Sequence, residues 1–198
     1  MNSLKTIRLL WPLLLLAKMA LLVHGQSSFY FSNITRSFDA PVFDADGNRL
    51  SGTNYLGMLY GGPTGDSLQP ARAFNGISIM TPEPFTFVAF GRAGYFSGDI
   101  VNIASVSCGG AAWLQVRAWD ARLGPNYEEV LKLGIGGYGA SNVFFADHGG
   151  NPCGLPSPPE LLYSLQSFHL LPVVPEPSPA LLFLLALPWL IWRCRRLK

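Results

Sequence analysis

Residues 26–171 predict a mainly β fold, a single antiparallel β-sandwich carrying one short helix, with an apolar segment at each end of the chain. Three observations lead there. Short runs rich in aromatic and β-branched residues recur between Gly, Pro and Asn punctuation. One of them, Trp113-Leu114-Gln115-Val116-Arg117-Ala118-Trp119, alternates cleanly and places Leu114, Val116 and Ala118 on one compact core-facing row. A single stretch carries helix punctuation at both ends. The 147 residues from 26 to 172 suffice for one core and are too few for two comfortable ones.

The elements follow in order. Residues 29–35 open the series, with Phe29, Phe31 and Ile34 near one side of a bulge. Strands over 54–60, 74–80 and 99–106 come next, each bounded by turn residues. The run 112–119 leaves Trp113 and Trp119 on the polar face with Arg117 between them, which suits stacking of the guanidinium on an indole. Residues 142–146 and 167–171 complete the strands. Residues 125–133 predict the helix, because Pro125 suits a first helical position and Gly134 a C-cap. Glu128 and Glu129 precede Lys132, as the macrodipole prefers. Tyr127, Val130 and Leu131 share its apolar face, so the helix covers one edge or end of the sandwich. The strand order stays open between an immunoglobulin-like and a jelly-roll-like arrangement.

The ends carry addresses. Residues 1–25 show Lys5 and Arg8, an apolar run over 9–23 interrupted by Lys18, and Val23-His24-Gly25 before Gln26. That is the pattern of a secretory signal peptide read by the Sec translocon. No cysteine follows the cleavage site, so lipidation there is not expected. Residues 172–198 form the second address, with Pro175-Glu176-Pro177, an uncharged apolar run over 180–192, and Arg193, Arg195, Arg196 and Lys198 as a basic stop. Thirteen residues at about 1.5 Å each give ~20 Å of helix, against a hydrocarbon core of ~30 Å. The span just crosses if Trp189 and Trp192 sit at the interface and the arginines snorkel, and Pro188 weakens it. The basic end places the C-terminus in the cytoplasm. Such a span suits a transient stop before processing, with a simple tail anchor as the alternative.

Pro175-Glu176-Pro177 with its apolar run and arginine cluster resembles the PEP-CTERM sorting signal of Gram-negative bacteria. The family more often has Ser-Thr after the second proline, where this chain has Ser178-Pro179. The resemblance implies recognition by an exosortase, a membrane-embedded cysteine transpeptidase-like enzyme that cuts near the motif. Ala40-Pro41-Val42-Phe43-Asp44-Ala45-Asp46-Gly47, Tyr55-Leu56-Gly57-Met58-Leu59-Tyr60, Gln115-Val116-Arg117-Ala118-Trp119-Asp120, Tyr127-Glu128-Glu129 and Leu165-Gln166-Ser167-Phe168 are similar to a body recurrent in PEP-CTERM proteins of Verrucomicrobia and Planctomycetes. That second resemblance implies one exported domain and brings no biochemical activity with it. The expected route is the inner membrane transiently, then the cell surface or the extracellular polymer.

Charge is segregated along the chain. Seven cations against eleven carboxylates over 26–172 leave the body near −4, although the whole chain counts +2. The basic character belongs to the sorting segments, so no nucleic-acid partner is expected.

Candidate chemistry is sparse. Asp44-Ala45-Asp46-Gly47-Asn48 has alternating oxygen ligands, yet the twelfth position of a calcium loop would be Tyr55, and the same residues suit an Asx turn. Ser141, Asp147 and His148 lie outside any G-x-S-x-G context. Adjacent Glu128 and Glu129 diverge on a helix and do not form an opposed acid–base pair. His24, His148 and His169 show no metal-ligand spacing, so neither metal nor other cofactor is expected, and no catalytic residue. Cys108 and Cys153 are the candidate disulfide pair in the exported body, with two free thiols as the alternative. Asn33-Ile34-Thr35 fits a glycosylation sequon. Tyr55, Tyr60, Tyr95, Trp113 and Trp119 are candidates for a sugar-stacking platform. The function expected is structural or adhesive, with a carbohydrate-binding module, contacting exopolysaccharide, as the alternative and a secreted hydrolase as the lesser one.

Overall fold

Alternation in the sequence becomes pairing in the computed structural model, which describes residues 26–89 and 91–174. The leader over 1–25, the motif at 175–177, the span over 180–192 and the basic tail lie outside the described residues. Among the described residues no helix is long and apolar enough to cross a membrane.

Two antiparallel sheets carry most of the fold. In the first, β1 (Ser27–Ser32) and β5 (Arg72–Ala73) flank β9 (Ser97–Ile103). The second is built on β3 (Gly52–Gly62) and β10 (Ala112–Asp120), paired in register from Tyr55↔Asp120 to Gly62↔Trp113. The strands β4 (Gln69–Pro70) and β6 (Glu83–Phe85) join β3, while β11 (Tyr138–Ala140) and β12 (Phe144–Ala146) join β10. A hairpin, β7 (Phe87–Ala89) and β8 (Arg92–Tyr95), stands beside them. The last pair departs from the all-antiparallel expectation: β13 (Phe168–His169) runs parallel to β2 (Val42–Phe43).

One core joins these sheets. Phe31 of β1 stacks on Phe96 with ring centroids 4.2 Å apart, and Phe85 of β6 meets Phe96 edge-on at 5.5 Å. At Gly61 of β3 the backbone lies against Ile103 of β9 and Leu114 of β10, leaving no room for a side chain. The row Leu114, Val116 and Ala118 is fully buried, as its alternation predicts.

Four expectations need correction. Residues 74–80 form a turn: Asn75 Oδ1 accepts the Ile77 and Ser78 amides, Gly76 takes φ 70°, and only Ile79 bridges back to Arg72. The Asn-Gly pair chooses a tight reversal over an extended run. The first strand stops at Ser32, because Asn33 turns its side chain inward. The helix α1 (Tyr127–Leu133) starts two positions later than proline implied, since Asn126 is the N-cap and its Oδ1 accepts the Glu129 amide at 2.9 Å. Leu131 is exposed while Tyr127 and Val130 are buried, because α1 presents only that flank to β10 and β11.

Asn33 shows how a polar residue earns a fully buried place. Its Nδ2 donates to the carbonyls of Ala40 and Gly94, both at 2.9 Å, and its Oδ1 accepts the Phe96 amide at 2.9 Å. A buried amide so engaged is unavailable to a glycan in the folded body. Asn33→Ala is expected to destabilise by about 3 kcal/mol by orphaning three buried backbone groups, checked by urea unfolding.

Candidate functional site

The expected sugar platform does not assemble. Tyr60, Tyr95 and Trp119 are buried, and only Tyr55 and Trp113 keep partial exposure. Arg117 stacks over phenols instead of indoles, with its guanidinium carbon 4.0 Å from the Tyr60 ring centre and 5.2 Å from that of Tyr127. Its Nη1 lies 3.4 Å from Glu128 Oε1, which also accepts the Tyr60 hydroxyl at 2.7 Å. Burial, then the bond to Glu128, pushes the Tyr60 phenol well above its ordinary range. The helix covers what strand alternation alone marks as a polar face, so this cluster holds α1 on β10.

The other candidates resolve into structure. Asp44 Oδ1 accepts the amides of Asp46 and Asn48 at 3.0 and 2.8 Å, and Oδ2 accepts from the Asn48 side chain at 3.2 Å. These are the bonds of an Asx turn with Gly47 at φ 84°. Among the described residues, no cluster of three His, Cys, Asp or Glu side chains is placed to hold a metal. Ser141 Oγ accepts the Val116 amide at 3.0 Å and donates to Asn142 O at 2.8 Å, a role in the sheet. Glu129 pairs with the N-cap Asn126 at 2.8 Å.

His148 links two acids, with Nδ1 2.8 Å from Asp147 Oδ1 and Nε2 2.7 Å from Glu160 Oε2. The Asp147 hydrogen bond and the Glu160 charge raise its pKa. Glu160 in turn sits on β1, where Tyr30 N–H donates to its carbonyl at 2.8 Å. A raised folded pKa makes the contact stabilising below the unfolded value near 6.5. The stability is lost as pH rises through the folded value. The side chain is mostly exposed, so His148→Gln is expected to cost under about 1 kcal/mol in mildly acidic solution and nothing in alkaline solution. Paired melting curves across that pH range check it.

Cys108 and Cys153 are joined, with Cα atoms 6.0 Å apart, within the span a disulfide requires. The bridge ties the 107–110 turn to the 151–154 loop. Ser27 Oγ lies between the carbonyls of Ser107 and Gly110 at 2.7 and 2.8 Å, so the start of the body is fastened at the same place.

One groove, of about 610 Å³, runs beside β9 and is lined by Tyr30, Phe74, Thr81, Glu83 and Asp99 among others. Glu83 lies across Gly98, and its carboxyl pKa is raised by burial and then by the neighbouring Asp99 charge. Neither acid has an ion-pair partner among the described residues. Phe74, Ile77 and Ile79 stand 64, 78 and 58% exposed on the adjoining turn. No spacing in the sequence marks Glu83 and Asp99 as a pair, because register and the 73–83 turn bring them together.

The approach to Pro175 is also visible. Leu171 N–H donates to Tyr138 O at 2.8 Å, Gly137 N–H donates to Leu171 O at 2.9 Å, and Val174 N–H donates to Ile135 O at 2.7 Å. The body therefore holds the chain to Val174, the residue before Pro175, three residues beyond the boundary at 171. A second Pro-Glu-Pro, Pro82-Glu83-Pro84, lies inside the body and pairs in β6 with β3. It lacks the apolar run and basic end that follow residue 177. Comparison with protein-family models, with curated proteins and with solved structures finds no match for this chain.

Proposed function

We propose that this chain is an exported structural or adhesive surface protein whose C-terminus is handed to an exosortase-type membrane enzyme. The observation that carries the reading is the order Pro175-Glu176-Pro177, apolar 180–192, Arg193 to Lys198. In the processing step one peptide bond near the motif breaks, the tail leaves with a free amino end, and the body's acyl group passes to water or an amine. The body is read as a β-sandwich, supported by the contact of Gly61 with Ile103, and as non-catalytic. Its net negative charge and the Cys108–Cys153 bridge suit an exported domain. Intact mass of the protein from its own host's surface fraction tests the reading. A mass ending near the motif supports it, and a mass retaining 180–198 overturns it.

The groove favours a second reading, a saccharide site. Tyr30 and Phe74 line it with aromatic side chains, and Glu83 and Asp99 supply acceptors for hydroxyls. Retention on polysaccharide that falls with Tyr30→Ala would support it, and passage of the wild-type body without delay would remove it. The same incubation reads released reducing ends, which a hydrolase with those two acids would produce.

A further inference from the structure

The glycine-rich stretch Gly134-Ile135-Gly136-Gly137-Tyr138-Gly139 is built as a seat for the exit strand. A Cβ on Gly136 would collide with the Pro172 carbonyl, and one on Gly139 with the His169 carbonyl. Gly136 also needs φ 93°, which side-chain-bearing residues rarely adopt. Backbone lies on backbone, and three hydrogen bonds between 135–138 and 171–174 fasten it. Upstream, Leu170 N–H donates to Phe43 O at 2.9 Å and the His169 ring stacks on Phe43 with centroids 4.9 Å apart.

Five residues, 175–179, separate Val174 from the apolar run. Fully extended they reach at most about 18 Å. A folded body fastened at Val174 therefore lies against the membrane surface, beside the peptide bonds that the enzyme must enter. Releasing residues 170–174 would about double that reach.

We propose that the glycine seat gates processing: while residues 170–174 are seated, the body crowds the sorting motif, and unseating exposes it. This rests on the sorting reading above. A strand held by a few hydrogen bonds opens locally without unfolding the core, so the gate operates in the native protein.

The test follows tail loss over time in the native host for the full chain, Gly136→Ala, and a Gly-Ser-Gly-Ser insertion after Val174. Both variants are expected to speed cleavage. Gly136→Ala should do so about tenfold, equivalent to about 1.4 kcal/mol of lost seating. An insertion variant cleaved no faster than wild type overturns the gate, as does a folded Gly136→Ala body with unchanged cleavage. If Gly136→Ala fails to fold, amide exchange in the wild-type chain reads the seat directly. Protection at Leu171 and Val174 is expected, and open-chain exchange there overturns it. A wild-type chain that is never cleaved removes the sorting reading itself, and the gate with it, whereas normal wild-type cleavage with an inert insertion removes the gate alone.

Discussion

Replacing Pro175, Glu176 and Pro177 together with alanine is expected to leave full-length protein in the membrane fraction, with near-complete loss of the processed form. On the proposed sorting reading, the thirteen uncharged residues that remain, with Pro188 among them, would reach only ~20 Å as a helix, enough to stall in a bilayer and too short for a permanent anchor. Loss of processing should therefore appear as retention of the tail, read by intact mass, and not as premature release. The body should melt unchanged, because among the described residues the last hydrogen bond along the chain is made by Val174 and the tripeptide begins one residue later. Pro82-Glu83-Pro84 supplies an internal contrast. Glu83 and Pro84 are paired in β6 with β3 and no membrane-length apolar run with a basic end follows, so alanines there should leave processing intact. A triple-alanine chain that loses its tail as the wild type does would mean that the tripeptide is not the address.

Loss of the Cys108–Cys153 bridge is the second large effect. It closes a 45-residue separation. In the chain-entropy account that restriction of the unfolded chain is worth about 4 kcal/mol, a large share of a domain's net stability. Ser27 Oγ fastens the 107–110 turn to β1, whereas the side-chain bonds of the other loop are local. Asn151 Oδ1 accepts the Cys153 amide at 3.0 Å and Asn151 N–H donates to Ser157 Oγ at 2.9 Å, both contacts within one loop. Cys108→Ser, Cys153→Ser and reductant should each lower the urea midpoint by the same amount, and the double variant by no more than either single one. A midpoint indifferent to reductant would show that the thiols are free.

What was legible in the sequence was whatever rests on local period and local backbone chemistry. The row Leu114, Val116 and Ala118 is buried as alternation requires, and the helix ends at its Gly134 cap and starts two residues after Pro125. The Asx turn at Asp44 follows from oxygen and glycine spacing alone. Residues 74–80 misled because their apolar content suggests a strand while Asn75-Gly76 dictates a reversal, and the turn chemistry wins over a short run. Trp119 and Tyr60 misled for a different reason. Alternation gives two faces to a strand but does not say that a later segment will cover the second one, as α1 does here over Tyr60 and Arg117.

The sequence by itself determined the export and sorting expectations, the β class and the position of the helix, since each depends on residues adjacent in the chain. Only the tertiary structure decided that Asn33 is a buried tie, that Glu83 meets Asp99 in a groove, and that Gly136, Gly137 and Gly139 lie against residues 169–173. Those facts depend on which distant segments touch. Burial and hydrogen-bond satisfaction of the whole chain select such contacts, and no local pattern encodes them.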